Sequence, residues 1–254
     1  MLRVSVIYGT GMSDLSNLFS VSLNSPIVSI RCESNWGTAP LSIIKKNNLQ
    51  ISFLNRHHSI NNHITPPHSI KHRGNIHAVA SFSPDIIISI NSVGSISSEL
   101  KPGEIGLASD IIDFTEYAWS FHDIIAHHSD RTSNFDTKAI EIISEVLKQI
   151  QGSEATRLIV AQCNGPQFES PAEINALEIL GAEAVNMTLG PESRLISELS
   201  IPHVSILCSS NWAAGKNPKG SKIVIDHKEV ENTSGSMKKI VLECINHLIK
   251  NYQV

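Results

Sequence analysis

The sequence predicts an α/β fold: one domain over residues 1–254, with a central mixed, largely parallel β-sheet flanked by helices. Short runs rich in Ile and Val recur along the chain without strict alternation, which is typical of strands covered on both faces. Segments with apolar residues at helical spacing lie between these runs. The 254 residues are enough for one full-sized core, and no shift in composition marks a domain boundary.

Seven short apolar runs are the predicted strands. The first run, "VSVIYG", leads into a Gly-Thr-Gly turn, and most later runs are followed by Gly or small polar residues, which favour turns. The predicted strands occupy residues 4–9, 26–31, 50–55, 85–91, 157–163, 183–188 and 203–209.

Four helices are predicted between and after these strands. The segments 136–150 and 234–252 place their apolar residues on one face. The segment 170–181 begins with Ser-Pro and ends with Gly, which is a favourable pair of start and stop signals, and 190–200 also begins near a proline. Because strands alternate with helices, the sheet is expected to be largely parallel.

Composition and charge exclude several classes of protein. The net charge of −4 and the absence of Lys/Arg runs beyond two pairs argue against a nucleic-acid partner. No apolar stretch approaches the roughly 18 residues of a membrane span, and no signal-peptide pattern opens the chain, so a cytoplasmic location without membrane contact is expected. The four cysteines lie far apart without a C-x-x-C pair, which gives no thiolate metal or redox motif.

The predicted strands end in residues that bind anions. The ends read "YGTG", "NRHH", "NSVGS", "CNGPQF", "NMTLGPE" and "CSSNWAAG". Ligands of open α/β sheets bind at the carboxyl ends of strands, and hydroxyls, backbone N–H groups and an Arg suit an oxyanion. Turns favour the same residues, so each end has an ordinary alternative. The dinucleotide fingerprint is incomplete, because Asp14 occupies the place of its third glycine.

Six of the twelve histidines fall within residues 57–77: His57, His58, His63, His68, His72 and His77. His68 and His72 are spaced i, i+4 on a possible helix, as two zinc ligands can be. No Asp, Glu or Cys joins them in the segment. We therefore predict no metal site, and interpret the segment as a phosphate-binding loop.

Five blocks, in order from about residue 4 to about residue 230, carry a resemblance to a known family. They are "GTG" at 9–11, "FLNRHH" at 53–58, "INSVGSISSELKPGEIGLASDIIDFT" at 90–115, "GPQFESPAEINALEILGAEAVNMTLGPES" at 165–193 and "SSNWAAG" at 209–215. Together they resemble the purine nucleoside phosphorylase family, in the branch that contains 5′-methylthioadenosine and S-methyl-5′-thioinosine phosphorylases. The resemblance implies a nucleoside phosphorylase-like fold and phosphorolysis, in which inorganic phosphate attacks C1′ of a purine nucleoside. It also implies a homotrimer, and no cofactor besides phosphate as co-substrate.

The resemblance also implies roles for individual residues. Those expected to bind phosphate are Thr10, Arg56, His57, Ser92 and Thr188, with the planar fork of Arg56 suited to a bidentate contact. Those expected to bind the nucleoside are Phe168, which packs on the purine, Met187 at the ribose, Asn211, Ala213, and His127, which is lent to a neighbouring subunit. Taken alone, each has an ordinary reading as a core or turn residue.

Asn211 and Ala213 bear on the identity of the base. The matching turn of methylthioadenosine-cleaving relatives carries two Asp residues at these positions. A carboxylate only accepts hydrogen bonds, whereas the Asn211 amide also donates, and can therefore serve the O6 acceptor of a 6-oxopurine. A donor there stabilises the negative charge on the leaving base. We therefore predict that Asn211 is catalytic and that the substrate is a 6-oxopurine nucleoside. The resemblance to the family adds His57 and Arg56 as catalytic residues, and its methylthio branch favours S-methyl-5′-thioinosine as the substrate.

Three departures from the family pattern keep other functions open. Asn164 and Gln167 replace a Glu and an Arg of the family's "EGPRF", and His72 replaces the Tyr of "NYRAN". The alternatives are a general inosine and guanosine phosphorylase, a methylthioadenosine phosphorylase, a hydrolytic nucleosidase, an inactive purine-nucleoside-binding protein and a His-rich metal-binding module.

Overall fold

Nine strands of the described chain form a single sheet in the order β2-β3-β4-β1-β5-β8-β7-β6-β9. The structure is a computed structural model that describes residues 1–59 and 63–253. The strands are β1 (Leu2–Tyr8), β2 (Ile27–Ser34), β3 (Gly37–Lys46), β4 (Leu49–Asn55), β5 (Ile86–Ser95), β6 (Ile105–Ile112), β7 (Arg157–Gln162), β8 (Ala184–Asn186) and β9 (His203–Trp212). The helices are α1 (Leu15–Leu23), α2 (His72–Ala80), α3 (Thr137–Gln151), α4 (Pro171–Ile179), α5 (Leu189–Glu198), α6 (His227–Ser236) and α7 (Lys238–Asn251), with a 3₁₀ helix at Pro67–Ser69.

The mixed α/β fold expected from the sequence is confirmed. β1 lies parallel to both β4 and β5, while β2, β3 and β4 form an antiparallel meander at one edge. β5 pairs in parallel with β9 and, at its last two residues, antiparallel with β8. Since β8, β7, β6 and β9 also pair in turn, five strands close into a ring.

The core lies on both faces of the sheet. Buried residues of α1, α3 and α7 pack against one face, which includes Val4 and Val6 of β1. Buried residues of α2 and α5 pack against the other face, which includes Ile7 and Leu54. This two-sided burial explains why most strands are continuous apolar runs. β2 differs, because it is an edge strand in which no residue is buried, and the expectation of two covered faces is wrong there.

All seven predicted strands occur, whereas several further elements escaped prediction. β3 contains Gly37 and Pro40 and β6 contains Gly106, which interrupt their apolar patterns. The helix predicted over 234–252 is two helices, α6 and α7, which meet at Met237. Along the described residues, no helix is long and apolar enough to cross a membrane.

Candidate active site

A cavity of about 500 Å³ opens beside the carboxyl ends of β1, β4, β5 and β9. α6 contributes His227, Val230 and Glu231 to its wall. Nine residues singled out in the sequence line this one cavity: Thr10, Arg56, His57, Ser92, Phe168, Met187, Thr188, Asn211 and Ala213. They come from six separate stretches of chain, so the fold brings together most of the predicted site.

His127 is the predicted site residue that the fold places elsewhere. It is exposed, it does not line the cavity of its own chain, and its ring centroid lies 4.6 Å from that of His122. The segment around it exposes large apolar side chains, with Ile124 at 96% and Ile125 at 77% of full exposure. Within a single chain, His127 therefore takes no part in the site.

Arg56 is engaged by a partner that the sequence reasoning missed. Its Nε donates to Glu192 Oε1 at 2.6 Å and its Nη2 to Glu192 Oε2 at 3.1 Å, while Nη1 donates to the Ile90 carbonyl at 2.7 Å. Glu192 accepts the hydrogen bonds of Nε and Nη2, the pair of donors that a bidentate contact with phosphate would use. The expected bidentate contact of Arg56 with phosphate is therefore wrong for this arrangement. Nη1 has a second N–H that meets no acceptor among the described residues, and Nη1 lies against Gly9 of the cavity wall. The available signal was the Glu that follows Pro191 in "GPES", four residues after the predicted Thr188.

The Gly-Thr-Gly turn is shaped by what packs against it. A Cβ on Gly9 would lie 2.8 Å from Arg56 Nη1 and 3.1 Å from His57 Cδ2, and a Cβ on Gly11 would lie 2.7 Å from the Gly235 nitrogen of α6. Gly11 also has φ of +77°, which side chains rarely adopt. The two glycines therefore make room for Arg56, His57 and α6, in addition to exposing backbone to a ligand.

His57 is held through its Nδ1, which lies 2.8 Å from the Thr65 carbonyl oxygen. Burial, opposed in part by that bond and reinforced by the positive Arg56, lowers the pKa of His57 to about 4. The imidazole is therefore neutral at pH 7.

The spacing of His68 and His72 does not place them on one helix. His68 lies in the 3₁₀ helix and is exposed, while His72 begins α2 and is buried. Within residues 1–59 and 63–253, no group of three or more His, Cys, Asp or Glu side chains is arranged to hold a metal ion.

A buried chain of hydrogen bonds reaches Thr188 from inside the sheet. Ser205 Oγ donates to Asn91 Oδ1 at 3.0 Å, and Asn91 Nδ2 donates to Thr188 Oγ1 at 3.1 Å. The Thr188 hydroxyl lies 3.2 Å from Asn186 Oδ1, which also accepts from the backbone N–H groups of Thr188 and Leu189. Asn186 therefore stays satisfied if the Thr188 hydroxyl turns its proton to a ligand. Neither Asn91 nor Asn186 was predicted from the sequence as a site residue.

At the other predicted subsite, the Asn211 amide has a defined orientation. Its Nδ2 donates to the Trp212 carbonyl at 2.8 Å and its Oδ1 accepts from Ser210 Oγ at 2.8 Å. The second N–H of the amide has no hydrogen-bond partner among the described residues, and Ala213 nearby is buried. Glu169, which the sequence reasoning missed although it directly follows Phe168, lines the same cavity, and burial raises the pKa of its carboxyl.

A second, larger cavity of about 950 Å³ adjoins the first and shares Pro67 and Met187 with it. Two of the departures from the family pattern, His72 and Asn164, line it, whereas Gln167 is exposed and lines neither cavity. Burial lowers the pKa of His72 to about 3, and its Nδ1 has no hydrogen-bond partner among the described residues.

Comparison with known proteins gives the family. The model of the phosphorylase superfamily matches residues 21–246. The chain is 29% identical over 266 residues to a probable 6-oxopurine nucleoside phosphorylase of Thermococcus kodakarensis, covering 98% of this chain and 94% of that protein. It is 31% identical over 215 residues to a probable S-methyl-5′-thioinosine phosphorylase of Methanopyrus kandleri, covering 84% of this chain and 83% of that protein.

The fold is also that of a solved relative. The structure of methylthioadenosine phosphorylase from Schistosoma mansoni in complex with adenine superposes with a TM-score of 0.84 at 20% identity, over 100% of this chain and 93% of that one. The fold, the gathered site and the sequence match lead to one conclusion: the chain belongs to the phosphorylase superfamily and is an enzyme of its purine nucleoside phosphorylase group.

Proposed function

We propose that the enzyme catalyses phosphorolysis of a 6-oxopurine nucleoside, with S-methyl-5′-thioinosine as the preferred substrate. The observation that carries the proposal is the amide of Asn211 in the cavity wall, which has one N–H that no described residue accepts, with Ala213 in place of a second acceptor. A 6-oxopurine offers an O6 acceptor to that donor. One relative is named a probable 6-oxopurine nucleoside phosphorylase, which supports the choice of base. Another is named a probable S-methyl-5′-thioinosine phosphorylase, which supports the methylthio group as well.

In the proposed reaction, a phosphate oxygen forms the bond to C1′ while the C1′–N9 bond breaks and its electron pair leaves with the purine. The hydroxyls of Thr10, Ser92 and Thr188 bind the phosphate, with the remaining Nη1 N–H of Arg56 and with His57. The Asn211 donor stabilises the charge that grows on the base, so it favours the transition state over the bound substrate. We propose no metal and no cofactor beyond the phosphate co-substrate.

The more specific part of the proposal is the methylthio group at the 5′ carbon of the substrate. The cavity wall includes the apolar side chains of Ile64, Pro67, Met187, Ile225 and Val230. An apolar wall favours a methylthio group over a hydroxyl, because burying an unpaired hydroxyl costs free energy. A general inosine and guanosine phosphorylase is the second candidate, and the free Asn211 donor supports it equally.

One assay tests this function. The purified enzyme is incubated with S-methyl-5′-thioinosine, inosine and 5′-methylthioadenosine, each with and without phosphate, while release of the free base is followed. We expect phosphate-dependent release, with the highest kcat/KM on S-methyl-5′-thioinosine. Release without phosphate contradicts phosphorolysis, a preference for methylthioadenosine contradicts the role of Asn211, and binding without turnover on any substrate contradicts the whole proposal.

We further propose a cytoplasmic homotrimer in which His127 of one subunit completes the nucleoside site of the next. The exposed apolar side chains of Ile124 and Ile125, which lie close to His127 in the sequence, support a subunit contact there. The test mixes two inactive variants, His127→Ala and Asn211→Ala, after mild dissociation. If neighbours share sites, mixed oligomers regain part of the activity, and light scattering gives the mass of a trimer. No recovery, or an active monomer, contradicts the proposal.

A further inference from the structure

The tautomer of His57 is determined by the chain itself. A carbonyl oxygen only accepts hydrogen bonds, so the 2.8 Å contact between Nδ1 and the Thr65 oxygen places the ring proton on Nδ1. Thr65 is held in place by the same strand end. Its N–H donates to the His57 carbonyl at 2.9 Å, and its hydroxyl donates to the His58 carbonyl at 2.7 Å. The orientation of the ring is therefore fixed before any ligand binds.

The other ring nitrogen, Nε2, is the one presented to the predicted anion site. A Cβ on Gly9 would lie 3.2 Å from it, so Nε2 lies against the Gly-Thr-Gly turn in the wall of the cavity. No described residue forms a hydrogen bond with Nε2. Because the ring is neutral with its proton on Nδ1, Nε2 carries a lone pair and acts as an acceptor.

An acceptor in an anion site selects among anions. Sulfate carries no proton at neutral pH, so each of its oxygens is an acceptor. Hydrogen phosphate has one P–OH, which is a donor. We propose that His57 makes the site selective for the hydrogen phosphate dianion, by accepting a hydrogen bond from its P–OH at Nε2.

This proposal rests on the proposed phosphorolysis, and adds a role for His57 within it. The protonated oxygen of the phosphate is turned towards His57, so an unprotonated oxygen is left for attack on C1′. Arsenate in its hydrogen arsenate form offers the same donor and is accepted. Sulfate places an oxygen lone pair against the Nε2 lone pair and binds more weakly.

The charges around His57 determine whether the ring stays neutral. Arg56, His58 and His227 oppose its protonation, and Arg56 is itself paired with Glu192. Glu231 of α6 lines the same cavity, and a dianion bound beside the ring favours protonation. An imidazolium formed on binding would donate from Nε2 instead, and the selectivity would be lost. The neutral ring has no proton on Nε2 whereas the imidazolium has one, and this difference can be measured.

The first experiment is nitrogen NMR of the histidine rings in the wild-type enzyme at pH 7, with and without inorganic phosphate. His57→Gln identifies the His57 signals by their loss. We expect the neutral pattern with the proton on Nδ1 in both states. The imidazolium pattern in the phosphate complex overturns the proposal, even if the enzyme turns over nucleoside.

The second experiment measures affinities for phosphate, arsenate and sulfate by calorimetry in the absence of nucleoside. We expect sulfate to bind at least about tenfold more weakly than phosphate, since an unpaired buried acceptor costs about that much, and arsenate to bind like phosphate. His57→Lys replaces the acceptor with a donor and is expected to reduce the preference about tenfold. His247→Gln, on the distant helix α7, is the matched control and leaves it unchanged.

Equal binding of sulfate and phosphate by the wild-type enzyme overturns the selectivity, as does a preference that His57→Lys leaves intact. Both measurements use the enzyme without nucleoside. Failure of this inference is therefore distinguishable from failure of phosphorolysis, which shows only in the release of free base.

Discussion

Arg56 and Glu192 form a buried ion pair that joins the carboxyl end of β4 to the first turn of α5. The two contacts are 2.6 and 3.1 Å long, and the side chains are 2% and 1% exposed. Because both charges are buried, each is stabilised by the other, and removing one would leave the second unpaired in the core. The pair also lies directly behind the predicted phosphate ligands, because Thr188 is the N-cap of α5 and His57 follows Arg56.

Glu192→Gln is expected to destabilise the fold strongly. The substitution leaves the Arg56 charge buried without a counter-charge, which typically costs about 3–5 kcal/mol in the free energy of unfolding. Urea denaturation measures this loss. The matched control is Glu178→Gln, which removes the Lys216 pair on a half-exposed surface and is expected to cost less than about 1 kcal/mol. Equal losses in the two variants would refute the importance of the buried pair.

Gly9→Ala is expected to impair phosphate use more than stability. The added Cβ would lie 2.8 Å from Arg56 Nη1 and 3.2 Å from His57 Nε2, so both side chains must move. We expect KM for phosphate to rise by about tenfold or more, since misplaced groups of this kind cost about that factor. Steady-state kinetics at varied phosphate measures it.

Gly152→Ala is the control for this change, because it strains the C-cap of α3 far from the site. It is expected to lower the melting temperature without changing KM for phosphate. An unchanged KM in Gly9→Ala would show that the turn tolerates the methyl group, and that the two side chains need not occupy their present positions.

Asn211→Asp is expected to shift the preference from 6-oxopurines towards 6-aminopurines. The substitution replaces the free N–H donor with an acceptor, and it also places a carboxylate oxygen opposite the Trp212 carbonyl. Loss of one such transition-state donor costs about 100-fold in kcat. The ratio of kcat/KM for S-methyl-5′-thioinosine to that for 5′-methylthioadenosine is the measurement.

Ser210→Ala provides the matched control for Asn211→Asp. It removes the hydroxyl that positions Asn211 Oδ1 but leaves the amide donor in place. We expect it to lower kcat modestly while the substrate ratio stays unchanged. A ratio that also stays unchanged in Asn211→Asp would remove Asn211 as the base-recognition residue.

His72 is expected to make the fold less stable in acid. Above about pH 6.5 it is neutral in both states. As the pH falls, the unfolded chain binds a proton that the folded chain does not bind until about pH 3, so the free energy of unfolding decreases through this window. The change is about 1.4 kcal/mol for each unit of pKa difference.

His72→Phe tests this by removing the titrating group while keeping a ring that can contact Trp119, whose centroid lies 4.9 Å from the imidazole. We expect its stability to exceed that of the wild type increasingly as the pH falls from 6.5 to 4. His68→Gln, an exposed control, is expected to keep the wild-type slope. Parallel slopes in wild type and His72→Phe would contradict the prediction.

The local sequence pattern predicted many of the helices and strands of this protein. Ser170 and Pro171 predict the start of α4, and the structure adds a capping box between Ser170 and Glu173 there. The apolar runs predict their strands because burial on both faces requires them to be apolar. β3 and β6 escaped because glycine and proline break the local signal while pairing with neighbouring strands sustains the strand. A weak local preference is overridden by such long-range contacts.

The sequence by itself determined the alternation of strands and helices, the family, and nine of the residues that line the cavity, since these depend on residue type and short spacing. Only the tertiary structure decided how those residues work. Glu192 lies 136 residues from Arg56 in the sequence, yet it accepts two hydrogen bonds from the Arg56 guanidinium. Helix α6, which comes much later in the sequence than Gly11, packs directly against it. Burial, hydrogen-bond partners and the tautomer of His57 are properties of contacts between segments, which no local pattern contains.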